Sequence, residues 1–555
     1  MNKCIEENNQ NRIRKVVVLI ASIIVIVIAY LPHLQNQMFA GSDDIFHYSR
    51  IYSIAEGLKQ GIFPVKIHAT ATYGYGYGVG FFYSDALLYI PAILMCAGVS
   101  LIASYKIFVL LVYIAIFASM YYSVWKLTYH YESAFFTASM LLFSNKVMES
   151  FYTTIALGQM TAFIFAPMAI IGMYIFLVND ERPYLLITGF TGLIFTHTLS
   201  TFLVFLTCVY YVLLHIKRIF KNKKWFHLLC SVACVTAVTA AYWIPMLEQM
   251  KAQWYKVRHP WTVSEKNVQP LRYLITRKEG LGYLICGVFL FSIAIVIFEV
   301  RKKYEKDKMR EIIRSFLIPA VGMALITSCT PFWHFMNSGL DINILQFPSR
   351  LNMVVTILIL GAWALAYTCD NINAKFKKIL SIALLMFGMI TSYRVFSEDY
   401  LCLDNSRIEQ VVNNEVAGLG AGEEWLPLET DREELTDSSI STDDMGHSIT
   451  GQKINGYTKY IFEADLSRKY YIVPYIWYKG FAAYDSEGNS FDIEKNLDTG
   501  LVEVHMPEDG QGIEKITVSY VGTKYQKLAY CGSILGILML LTYIIVTEKK
   551  LWKIK

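Results

Sequence analysis

Charge is what this sequence has least of. Only 17% of its 555 residues are Asp, Glu, Lys or Arg against 55% hydrophobic, and the mean hydropathy is +0.38. That balance excludes an ordinary soluble class, because uncharged apolar runs near 20 residues recur along the chain. The ten cysteines are scattered, several of them (Cys208, Cys230, Cys234, Cys286) inside apolar runs, with no Cys-x-x-Cys pair and no metal-ligand spacing. This argues against a disulfide framework and against a zinc site. The chain also lacks an Asn-x-Ser/Thr sequon, which fits a bacterial protein better than one facing an endoplasmic reticulum lumen. The net charge is only +5, and Lys and Arg gather at the ends of apolar runs, so no nucleic-acid partner is expected. No small-x-small cleavage site follows the first apolar run, Val16 to Leu31, which Arg14 and Lys15 precede; it reads as a retained span.

What is present is a series of twelve further apolar runs, from 86–102 to 528–546. The basic loops 215–224, 301–310 and 371–378, the tail 548–555 and the N-terminus all face the cytoplasm only if one early run does not cross. The candidates are 86–102, which contains Pro91, and the short 133–144; a surface-lying helix at 86–102 is preferred. Either choice leaves about twelve spans. The expected architecture is a polytopic α-helical membrane protein with a small C-terminal extracytoplasmic β-sandwich. Its parts are a multi-span domain over 1–396 with an outer loop at 32–85, an outer region over 397–526, and a final span with a basic tail over 527–555. In the outer region the acid-rich stretch 413–444 reads as a solvated linker. YTKYIFEADL, YYIVPYIWY, LVEVHM and EKITVSYVG read as strands.

The first outer loop carries the richest polar pattern. Ser42 is placed to cap a helix running to about Lys59, with Asp43 and Asp44 in its first turn and Gly61 and Pro64 ending it. Asp43, His47 and Arg50 are spaced i, i+4, i+7 and share a face, while Asp44 points about 100° away and serves the helix dipole. After it, 71–91 alternates Gly and Tyr, a pattern of a low-complexity linker or of an interfacial loop where backbone meets ligand. The same topology puts the turn 195–201 and the loop 331–349 leading to Arg350 on the outer side; His197 in that turn, on the same face of the membrane as Asp43, is a candidate substrate-binding residue, with a polar residue satisfied at a helix end as the plain alternative. Arg350 there runs against the positive-inside bias, which points to an anionic partner, with snorkelling to headgroups as the plain alternative.

The pattern Gly41-x-Asp43-x-x-Phe46-His47-x-x-Arg50-Ile51, followed by GIFPVKI (61–67), resembles the first extracytoplasmic loop of YfhO-type bacterial membrane proteins. It also resembles the related membrane domain described as pyruvoyl-tetrahydropterin-synthase-related. LQFPSR (345–350), the EWLP of Glu424 to Pro427, and YYIVPYIWYKGFAAYDSEG are similar to features of the same group. That group looks like GT-C glycosyltransferases. The resemblance implies a multi-span enzyme of the bacterial cell membrane, active on the extracytoplasmic face, with a polyprenyl-phosphate sugar as donor and an envelope glycan such as lipoteichoic acid among the acceptors. It implies Asp43 as the catalytic acid position with Asp44 its neighbour, His47 and Arg50 as the pair that follows, and Arg350 as a cation near the donor phosphate. One departure stands out: Ser84-Asp85 occupies the place where these loops tend to read Tyr-Pro-Pro.

The implied chemistry is physically reasonable. An acceptor hydroxyl must lose its proton as it attacks the anomeric carbon, and a carboxylate serves as base. The leaving phosphate is already anionic, so fixed cations such as Arg350 and Arg50 suffice and a divalent metal is optional; no cofactor is required. Asp43 and Asp44 pointing apart make a poor two-carboxylate metal clamp. A flippase of lipid-linked sugars would place charges deep in its spans, which are nearly charge-free here. A non-catalytic envelope scaffold would leave the Asp43, His47, Arg50 face without purpose.

Overall fold

The structure is a computed structural model that describes residues 2–259, 262–301, 305–340 and 345–552. Parts of the basic loop 301–310, of the outer loop 331–349 and of the basic tail lie outside the described residues. Contacts divide the chain into two units. The first comprises Met1–Ser42, Lys106–Ala233 and Thr262–Asp404; the second comprises Asp43–Tyr105, Cys234–Trp261 and Asn405–Lys555. The division thus follows packing and not chain order: the Asp43 loop belongs with the C-terminal β-domain and not with the bulk of the helices.

Among the described residues seven helices are long and apolar enough to cross a membrane, or nine if each of two bent helix pairs is one span. The seven are Ile13–Leu34, Leu101–Thr128, Leu157–Val178, Gly282–Arg301, Pro348–Tyr367, Ala374–Val395 and Lys524–Val546. The expected count of about twelve fails this test of length because several apolar runs form short or broken helices. The run 86–102 yields only the eight-residue helix Tyr89–Cys96, and 133–144 the twelve-residue helix Tyr131–Leu142. Tyr184–Ile194 and Thr198–Leu214 are also short, and the run 226–245 bends by 68° between Val238 and Ala240.

Within the first unit Leu157–Val178 and Pro348–Tyr367 are central, with 78% and 83% of their apolar windows buried, whereas Ile13–Leu34 leaves most of its Val, Ile and Leu exposed. Apolar side chains gain nothing from meeting lipid instead of one another, so close backbone approach has to bind such helices. Gly189 supplies it: a Cβ there would lie 2.5 Å from the Ala169 nitrogen of the Leu157–Val178 helix.

The second unit is built on nine strands: β1 (Ile440–Asp443), β2 (Ser448–Thr450), β3 (Gln452–Ile454), β4 (Lys459–Asp465), β5 (Tyr470–Ile476), β6 (Phe481–Tyr484), β7 (Ser490–Lys495), β8 (Leu501–His505) and β9 (Ile513–Tyr520). All pairings are antiparallel, in the order β2-β1-β5-β8-β7-β6-β9-β4-β3. The four strands read from the sequence are β4, β5, β8 and β9, whose alternation is long enough to see. The expected small β-domain is present, as a nearly closed antiparallel barrel or sandwich. Its two edge strands, β2 and β3, are consecutive and joined by Gly451, which lies where a Cβ would meet the Tyr460 hydroxyl at 2.3 Å. Curling brings both edges together and leaves little unpaired backbone. Tyr460, Phe462, Tyr471, Val473, Val504 and Val518 fill the interior at two-residue spacing.

The Gly-Tyr stretch is neither a linker nor a ligand loop; it is core. Tyr75, Tyr77, Phe81 and Phe82 are buried with Leu426, Ile476 and Tyr478. Phe82 stacks on Trp425 at 4.4 Å, and the Tyr77 hydroxyl accepts from the Trp425 nitrogen at 3.2 Å. Gly78 is required by this packing, since a Cβ there would strike the Tyr478 ring at 2.5 Å. The acid-rich stretch is corrected in the same way. Leu426 is fully buried, the Glu424 and Leu426 carbonyls accept from the Val257 and Lys256 nitrogens, and Glu423 pairs with Lys256 at 2.7 Å. Glu429 likewise pairs with Lys495 at 2.7 Å, and the buried Leu426 and Leu435 anchor the run in the core.

Candidate functional site

The helix of the Asp43 loop spans Asp44–Lys59, one residue later than Ser42 capping would give, and Asp43 itself occupies the N-cap position without capping through its side chain. Its carbonyl accepts from the His47 nitrogen at 3.1 Å, so the first turn closes over it. Asp43 is half-buried while the helix behind it sinks into the second unit.

Asp44 is not the solvated dipole partner expected of it. It is 1% exposed, and its two carboxylate oxygens accept from Arg407 Nη1 at 2.6 and 2.7 Å. Arg407 comes from the short helix Ser406–Val412, and Gly418 beyond it lies so close to Ser49 that a Cβ would meet Oγ at 2.3 Å. A carboxylate buried to this degree needs its counter-ion, because taking a lone charge out of water costs several kcal/mol.

Arg50 is 2% exposed and fully engaged. Its Nε and Nη2 donate to Asp85 Oδ1 at 3.0 and 2.6 Å, and Nη2 also reaches the Tyr83 and Ser84 carbonyls at 3.2 and 3.1 Å. The guanidinium lies over the Tyr83 ring at 4.3 Å. Its Nη1 donates to His47 Nδ1 at 3.1 Å. A guanidinium has no acceptor, so this contact makes Nδ1 the acceptor of a neutral imidazole and leaves the ring proton on Nε2. The expected phosphate contact from Arg50 therefore gives way to an internal, positioning role: the residue ties the 83–85 loop to the helix.

Asp85 closes the network. Its Oδ2 accepts from His68 Nε2 at 2.9 Å. Burial pushes its carboxyl up, but Arg50 and then His68 outweigh that and hold it down at about 2, so it stays ionised. Nearby, burial pushes the Lys66 amine down to about 8 against the opposing pull of Asp85, and its Nζ donates to the Gly80 carbonyl at 3.2 Å. The chain of contacts His68–Asp85–Arg50–His47 thus runs through the interior and ends one turn from Asp43. Asp85, His68 and Arg407 are absent from the sequence-based set. Asp85 carried a signal, as an acid inside the otherwise apolar FFYSDALLYI at the place where the family pattern breaks; Arg407 carried none.

His197 and Arg350 belong to the first unit. His197 is the N-cap of Thr198–Leu214; its Nδ1 accepts from the Ser200 nitrogen at 3.3 Å and pairs with Ser200 Oγ at 2.7 Å. A helix cap is the plain role for a polar residue at that place. Arg350 lies over Phe347 at 5.2 Å with Nη2 3.4 Å from Gln346 Oε1. Its charge also reaches Glu149, a buried carboxyl that burial raises and that its ion-pair partner Lys146, then Arg350, pull back down.

No protein-family model matches the chain, and no curated protein matches it.

Proposed function

We propose that this chain is a multi-span glycosyltransferase of the bacterial cell membrane, moving a sugar from a polyprenyl-phosphate donor to an acceptor hydroxyl of the envelope on the extracytoplasmic face. The observation that supports it best is the contrast between two adjacent carboxylates: Asp44 is buried in an ion pair, whereas Asp43 is half-buried at the mouth of its helix. A general base has to meet a substrate proton, and Asp43 has the exposure to do so.

In the proposed step the Asp43 carboxylate takes the acceptor hydroxyl proton as the acceptor oxygen bonds to the anomeric carbon. The bond from that carbon to the phosphate oxygen breaks, and the electron pair stays on the phosphate. His47, Arg50 and Asp85 hold the helix and its approach loop in register, and Arg350 is the proposed cation for the phosphate, as the family resemblance implies. The experiment is transfer from a radiolabelled polyprenyl-phosphate sugar in membranes, normalised to folded protein. Asp43→Asn, which keeps the size and shape of the side chain and removes the base, is expected to abolish transfer per folded molecule. Full transfer by that variant would refute the assignment.

A further inference from the structure

Helix Ala240–Ala252 of the second unit forms one wall of a groove of about 430 Å³. That volume lies within the range of small-ligand sites, about 300–1,000 Å³. The helix contributes Trp243, Ile244, Leu247, Glu248 and Lys251, spaced i, i+1, i+4, i+5 and i+8, so one stripe faces the groove. Tyr525, at the start of the last helix, and Lys479, in the turn between β5 and β6, line it as well. The transfer step uses none of these residues.

The stripe changes character along its length. Its first three members are apolar, and Leu247 is 43% exposed; its last two are charged. The charged end is rigidly built. The buried Gln249 amide holds the Lys479 backbone twice, Nε2 donating to its carbonyl at 2.8 Å and Oε1 accepting from its nitrogen at 3.0 Å. With the turn fixed to the helix, Lys479 Nζ comes within 3.7 Å of Glu248 Oε1. The other Glu248 oxygen accepts from the Thr523 hydroxyl at 2.6 Å. Two ammonium groups against one carboxylate leave this end with a net positive charge. A lysine in the last turn of a helix favours the dipole, but that role needs no second lysine brought from the β-domain.

The apolar end continues onto the last helix. Leu528, Leu535 and Met539 share a face of Lys524–Val546 with Tyr525, and all three are exposed. An exposed apolar track leading to Trp and Tyr rings, with lysines beyond them, is the order of side chains met from hydrocarbon to headgroups.

We infer that the groove holds a membrane phospholipid of net negative charge, with its phosphate at Lys251 and Lys479 and an acyl chain along Trp243, Leu247 and the Leu528 face. Charge selects the headgroup. A phosphodiester alone matches the net positive end, whereas a zwitterionic headgroup adds an ammonium that the lysines repel. This binding does not depend on sugar transfer, so either reading can fail without the other.

The test is native mass spectrometry of the purified full-length chain, delipidated in detergent and titrated with phosphatidylglycerol or phosphatidylcholine of identical acyl chains. The first phosphatidylglycerol is expected to bind at least fivefold more tightly than the first phosphatidylcholine. Lys251→Gln, which leaves the contact between Lys479 and Glu248 in place, is expected to at least halve that preference, and Lys251→Gln with Lys479→Gln to abolish it. Lys527→Gln removes an exposed charge from the last helix at a position that does not line the groove, and is expected to leave the preference unchanged. Equal binding of the two lipids, or a preference untouched by the lysine variants, would overturn the site. An equal loss in Lys527→Gln would do so too, because it would reduce the effect to general attraction of lipid to a basic surface. Displacement of phosphatidylglycerol by an equimolar polyprenyl phosphate would make the groove a donor site and overturn the phospholipid assignment.

Discussion

Replacing Asp44 by Asn separates architecture from chemistry at the Asp43 loop. The sequence alone assigns Asp44 a helix-dipole role worth a few tenths to 1 kcal/mol. The structure makes it one half of a buried ion pair, with contacts of 2.6 and 2.7 Å to Arg407. Removing one partner of a fully buried pair costs about 3–5 kcal/mol, mostly because the survivor is stranded. Here the survivor is Arg407, whose side chain is 34% exposed and can rehydrate, and Asn still offers one acceptor. The cost therefore falls to about 2 kcal/mol, near that of a hydrogen bond to a charged group. The assay is thermal or denaturant unfolding of purified protein followed by tryptophan fluorescence, with Arg407→Ala and the double variant completing a cycle. The double variant is expected to be less destabilised than the sum of the two single ones, by roughly 1–2 kcal/mol, because neither charge is then left alone. Residual transfer per folded molecule should remain substantial in Asp44→Asn. Wild-type stability with abolished transfer would refute the reasoning and make Asp44 the base.

Three further outcomes are expected. Asp85 is held at about 2, below its ordinary 3.8, so its ion pair contributes stability above about pH 3.8 that is lost as pH falls through about 2. The stability difference between wild type and Asp85→Asn should accordingly be constant at neutral pH and shrink toward pH 2; a difference that grows with acid contradicts the network. Arg350→Lys should keep part of the transfer activity, having charge without the planar fork, and Arg350→Ala should lose most of it; full activity in the alanine variant would mean that Arg350 only meets headgroups. In a background without the exposed Cys96, Cys402 and Cys531, a cysteine placed near Gly488 should react with an impermeant thiol reagent on intact cells and one near Lys223 should not; the reverse pattern overturns the proposed sidedness.

What could be read in the sequence was what is local and periodic. The strands β4, β5, β8 and β9 are apolar enough at alternate positions to be seen, whereas the six-residue β7, with its charged SFDIEK, is not, and the Asp43 helix is within a residue of its expected start. The small strands β1, β2 and β3 were not legible, because three or four residues hold too few alternations and their pairing is set by Gly451 and the closing of the barrel. Span counting suffered from the same limit in reverse: hydropathy measures how apolar a run is, and says nothing of the 68° bend that splits 226–245. At the site, helical spacing brought His47 and Arg50 together, since contacts three residues apart are a local property. Asp85 and Arg407 lie 35 and 363 positions from their partners, a separation that no spacing rule reaches.

The second unit explains why the loop and the β-domain cannot be treated as separable parts. The Asp44–Lys59 helix is clamped through Asp44 to Arg407 and through Ser49 to Gly418. The 71–85 stretch that follows is held by Tyr75, whose carbonyl accepts from the Ile476 nitrogen at 3.1 Å and whose hydroxyl donates to the Asp437 carbonyl at 3.0 Å. Lys453 on β3 donates to the Gly74 and Pro474 carbonyls and lies 3.2 Å from the centre of the Tyr475 ring, and burial pushes its amine well below its ordinary value. Asp85, at the end of this stretch, then fixes Arg50, and Arg50 fixes His47. The strands thus determine where the Asp43 end of the helix comes to rest, through packing and hydrogen bonds that all lie within one compact unit. A truncation that removes the strands strips the core from beneath Tyr75, Tyr77 and Phe82 and exposes the loop's aromatic face. Loss of activity on such a truncation carries no information about catalysis, which is why the discriminating variants above change one or two atoms of a carboxylate and leave the barrel in place.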